Sequence, residues 1–86
     1  MENCSCIMAV CQVNRVETAV KVQDVLTQYG CHIRIRLGVH DSNPGECTNT
    51  GMILLQVCGG DDVARNLEQE LLAIPNVKVK YMMLDF

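Results

Sequence analysis

Six cysteines and two histidines carry most of the reactive side-chain chemistry in this 86-residue chain. His40 and Cys47 flank one polar stretch, with Asp41 and Glu46 between them. Imidazole, thiolate and carboxylate are the ligand types taken by zinc and other borderline divalent transition metals. A symmetric dimer would present the same pair twice and complete a four-ligand shell. The chain has no Cys-x-x-Cys and no paired-histidine motif, and Cys4-Ser5-Cys6 is too small a set for a site alone. The residues therefore point to no certain cofactor, and the one they could hold is a divalent transition metal at His40 and Cys47.

Catalysis has less to work with. A nucleophilic Cys or Ser needs a base and an orienting group within hydrogen-bond reach. Cys31 precedes His32, but adjacent residues on a strand point to opposite faces. No carboxylate pair or phosphate loop stands out, so the chain is expected not to be an enzyme. Gly59-Gly60-Asp61 precedes a helix start, where an anion could sit. Asp61 and Asp62 already complement that helix dipole and would repel one.

These residues must be positioned by elements that the hydrophobic pattern defines. Residues 6 to 13 form a nearly continuous apolar run, which predicts a strand. Asn14 is a candidate N-cap, with Glu17 three residues on. Thr18, Val22, Val25, Leu26 and Tyr29 then form one helical stripe, and Gly30 supplies the stop. Residues 32 to 40 alternate, with Ile33, Ile35, Leu37 and Val39 facing one way and His32, Arg34, Arg36 and His40 the other. A polar stretch from Asp41 to Thr50 follows, with Asn43-Pro44-Gly45 as its turn. Residues 52 to 58 read as a third strand. Asp61 caps a second helix whose stripe is Val63, Ala64, Leu67, Leu71 and Ile74, and residues 77 to 85 alternate as a last strand.

The order strand, helix, strand, strand, helix, strand predicts an α+β, ferredoxin-like βαββαβ domain. It implies a four-stranded antiparallel sheet in order 4-1-3-2, with both helices on one face. We read residues 1–86 as a single domain with an ordered core over about 6–85. Ile33-Arg-Ile-Arg-Leu37 echoes Val77-Lys-Val-Lys-Tyr81, and basic residues on both predicted edges discourage stray strand pairing. The strands apolar on both faces are the predicted central ones, so the sheet face away from the helices is expected to be apolar too. A monomer rarely leaves such a patch in water. A homodimer or higher oligomer is expected, joined by sheet faces, sheet edges or both, with Met8, Val10, Met52 and Leu54 at the interface.

Composition bounds the rest. The chain is 49% hydrophobic, which argues against disorder, and its only aromatic residues are Tyr29, Tyr81 and Phe86. A net charge of −3 offers no basic surface for phosphates, so direct nucleic-acid binding is not expected. No apolar run reaches the roughly 20 residues of a membrane span. The N-terminus lacks the basic region of a signal peptide. A cytoplasmic protein is expected, with Cys6, Cys11 and Cys58 serving as small apolar core residues in a reducing compartment.

Over about Ile7 to Leu84 the chain resembles the small ACT-like proteins described as iron-only hydrogenase system regulators. The resemblance is carried by the apolar first strand, Asn14-Arg15, the helix ending Val25-Leu26, and the Ile35-Arg36-Leu37-Gly38-Val39 strand. It continues through Ile53 to Val57 and Ile74-Pro75-Asn76-Val77-Lys78-Val79-Lys80. It implies a compact oligomer with a regulatory role and no defined ligand. A more distant resemblance is to the C-terminal domain of nickel-responsive repressors, which binds metal through three histidines and a cysteine at a subunit interface. Here His40 matches one strand histidine, Gly38 stands at the other, Thr27 falls near the partner-chain histidine, and Cys47 lies several residues early. No DNA-reading segment precedes the first strand. The expected function is a small non-enzymatic regulatory or ligand-sensing module. The alternatives are a metal sensor using His40 and Cys47, or a structural module that binds another protein.

Overall fold

The computed structural model describes the backbone of residues 4–13, 15–43 and 46–84, and their side chains except at 15 and 39–49. Strand β1 (Cys6–Val13) leads into helix α1 (Arg15–Gln28) and a short 3-10 turn at Gly30–His32. Strands β2 (Ile33–Asn43) and β3 (Glu46–Val57) follow as a hairpin. Helix α2 (Asp61–Leu72) and strand β4 (Val77–Met83) complete the chain.

The four strands form one antiparallel sheet in the order β2-β3-β1-β4, which is β4-β1-β3-β2 from the opposite edge. β1 is central because its apolar run can be covered on both flanks and one full face. Its alternate residues Cys6, Met8 and Val10 are fully buried against the helices. β3 contributes Ile53, Leu55 and Val57 to that layer, opposite Val10, Met8 and Cys6. The helix stripes supply the other half of the core: Val22 and Leu26 from α1, and Ala64, Leu67 and Leu71 from α2. Residue spacing alone gives this result, since positions three and four apart share a helix face.

Several boundaries differ from the sequence expectation. The polar stretch 41–50 is not a free loop, because β2 and β3 keep pairing out to Asn43 opposite Glu46. The turn residues Pro44 and Gly45, and the candidate cap Asn14, lie outside the described residues. α2 is entered through Gly60, which takes a positive φ of 91° and makes no side-chain cap. Asp61 is instead the first helical residue. Its carboxylate accepts hydrogen bonds from Arg65 of the next turn and, at 3.1 Å, from the Tyr81 hydroxyl of β4.

Candidate functional site

The face of the sheet away from the helices is built residue by residue from the register. β1 turns Ile7, Ala9 and Cys11 outward, and β3 turns Met52, Leu54 and Gln56 outward beside them. β4 places Met82, Lys80 and Lys78 opposite Ile7, Ala9 and Cys11. The contribution of β2 depends on a bulge. Ile33 pairs with Val57 and Ile35 with Gln56, so Arg34 is an extra residue between them.

That extra residue resets the alternation. Ile33 packs against the core, whereas Ile35 and Leu37 face outward beside Gln56 and Leu54. Arg36, opposite Leu55, is left on the helix side. The sequence echo between β2 and β4 is thus inverted in space. In β4 the apolar residues Val77, Val79 and Tyr81 face the core and the lysines face outward.

The result is an apolar surface across all four strands. Ile35 is 55% exposed, Leu37 54%, Met52 43% and Met82 57%. Ile7, Ala9, Leu54 and Met82, with Lys80 at the rim, line a shallow depression of about 350 Å³. Side chains of this size at such exposure are costly in water.

The expected interface residues divide between the two faces. Met52 and Leu54 are on the outward face. Met8 and Val10 are not: both are fully buried beneath the helices, because Met8 is opposite Leu55 rather than Leu54. Their neighbours Ile7 and Ala9 take that place, joined by Ile35, Leu37 and Met82. The alternation of β1 offered both phases, and only the register with β3 chooses between them.

The expected metal pair is placed by backbone alone. His40 is opposite Gly51 in the β2–β3 ladder, and Cys47 is opposite Ser42; their side chains lie outside the described residues. Among the described residues no group of three His, Cys, Asp or Glu side chains could hold a metal ion.

The cysteines also depart from expectation. Cys58 is not a free apolar thiol at the end of a strand: it lies just past β3 and forms a disulfide with Cys4. The pairing is local in space because Cys6 is opposite Val57, so the chain just before β1 runs beside the chain just after β3. A hydrogen bond from Gln56 Nε2 to the Cys4 carbonyl, at 2.9 Å, holds the same segment. Cys6 is buried as expected, and its thiol is pushed up from the ordinary range by burial and then by the Asp61 carboxylate. Cys31 is exposed.

No protein-family model and no curated protein matches the chain. Among solved structures it is similar to an uncharacterized protein from Thermotoga maritima. The TM-score is 0.78 at 24% identity, over 93% of this chain and 95% of that one. This likeness shows that the two share a fold. Among the described residues no helix is long and apolar enough to cross a membrane.

Proposed function

We propose that this chain is a non-enzymatic regulatory module of ferredoxin-like, ACT-like type, working as a homodimer joined through its outward sheet faces. The observation that carries the reading is the apolar surface of Ile7, Ala9, Ile35, Leu37, Met52, Leu54 and Met82. A second copy presenting the same surface covers it by a two-fold, self-complementary contact. The element order and the strand order support the ferredoxin-like description. The regulatory assignment rests on the residue pattern shared with the iron-only hydrogenase system regulators.

The test is the mass in solution of the wild type and of Leu54→Lys, which puts a charge at the centre of the surface. Wild-type chain is expected at about twice 9.6 kDa by light scattering. The variant is expected at the monomer mass with its far-ultraviolet circular dichroism unchanged. Wild-type protein that stays at the monomer mass up to its solubility limit would end the proposal.

A further inference from the structure

β2 is an edge strand, so the backbone groups on its outer side have no strand partner in the sheet. Beyond the bulge its two faces differ sharply in chemistry. Ile35 and Leu37 are more than half exposed on one face. On the other, Arg34 and Arg36 line a cleft of about 310 Å³ against Leu26, Thr27 and Gly30, at the end of α1. Both arginines are exposed, and among the described residues neither pairs with a carboxylate. The cleft exists because the helices pack over β4, β1 and β3 and leave the helix side of β2 uncovered beyond Ile33, with Gly38 also exposed there.

A second copy of this chain is a poor occupant for that edge. Antiparallel pairing of β2 with its own copy around residue 35 would set Arg34 opposite the other copy's Arg36, and like charges directly opposite are destabilising. The β4 edge turns Lys78 and Lys80 to the outward face, so antiparallel pairing of β2 with it in a continuous sheet would set those lysines beside Ile35 and Leu37.

We propose that the β2 edge is a docking site for an extended acidic segment of another polypeptide, added as a fifth strand. Its alternate residues would be acidic, facing Arg34 and Arg36, and apolar, facing Ile35 and Leu37. Main-chain hydrogen bonds supply the pairing and the alternating side chains supply the selectivity. Arginine suits this role because its planar guanidinium grips a carboxylate with two hydrogen bonds. The site shares Ile35 and Leu37 with the proposed dimer face, and it adds the backbone edge and the helix side of β2, which that contact does not use.

The probe is a fluorescein-labelled eight-residue peptide alternating glutamate and valine, added to the full chain. It is expected to raise fluorescence anisotropy, more in low salt than in high, and to protect β2 amides from hydrogen exchange. The double variant R34Q/R36Q is expected to weaken binding by roughly tenfold or more, with its thermal transition unchanged because both side chains are exposed. Three further comparisons use the unaltered chain, so the test does not depend on how the variant folds. Equal binding of a peptide with lysine in place of glutamate would overturn the proposal. So would equal binding of the peptide N-methylated at alternate amides, which cannot pair as a strand. Full displacement of the peptide by inorganic phosphate would reassign the cleft to small anions. The dimer is read by mass and this pairing by β2 protection, so either can fail without the other.

Discussion

At the scale of single residues, the cysteines have three different fates, and each can be measured. Cys31 is exposed, Cys6 is fully buried, and Cys4 is tied to Cys58. Iodoacetamide on the native protein should therefore label Cys31 quickly and Cys6 only on unfolding, read by peptide mass spectrometry. The Cys6 thiol is raised, so folding favours its neutral form. Its contribution is fully present below the ordinary thiol range, near 9.0, and is lost as pH rises through the folded value. The urea midpoint should fall between about pH 8 and about pH 10, and less steeply in Cys6→Ala, with burial of Tyr81 acting in the same direction at the upper end. The buried Cys6 was legible from its place in an apolar run. The Cys4–Cys58 bond was not, because six cysteines allow many pairings and only the β1–β3 register brings these two together. Reducing it should cost about 2–4 kcal/mol in a denaturant titration.

At the scale of elements, the helices were legible and the edge strand was not. The stripes Thr18, Val22 and Leu26, and Ala64, Leu67 and Leu71, are buried as their spacing requires. In β2 a uniform alternation over residues 32–40 put Ile33, Ile35 and Leu37 on one face. The bulge at Arg34 breaks that uniformity, and nothing in the local residue pattern marks it. A short connection is equally specific. Gly59, with a φ of +110°, lies where an added Cβ would stand 2.8 Å from Val63 Cγ2 and 3.1 Å from His32 Nδ1. Gly59→Ala meets both a disfavoured backbone and a close contact, and should lower stability by about 1–3 kcal/mol in thermal or urea unfolding. Loss of under half that amount would show that β3, the 3-10 turn and α2 can shift to accommodate the methyl group.

At the scale of the whole molecule, the chain has one complete core and one apolar face left over. Expecting both from the sequence was possible because β1 and β3 are apolar in both phases, and a single layer of two helices covers one side of a sheet. Which residues belong to which side needed the pairing of Met8 with Leu55. If the leftover face is covered by a second copy, stability is linked to association, and the melting temperature should rise with protein concentration. A melting temperature constant over a hundredfold range, about two decades of concentration, would show that folding does not depend on association. The bond between Cys4 and Cys58 also changes the connectivity of the chain: residues 4 to 58 become a covalent ring, and α2 and β4 lie on the tail that follows it. A protease that cuts the backbone once inside the ring opens it without releasing a fragment. Such nicked protein should run as one band on a non-reducing gel and as two after reduction, whereas a cut in the tail should give two bands on both.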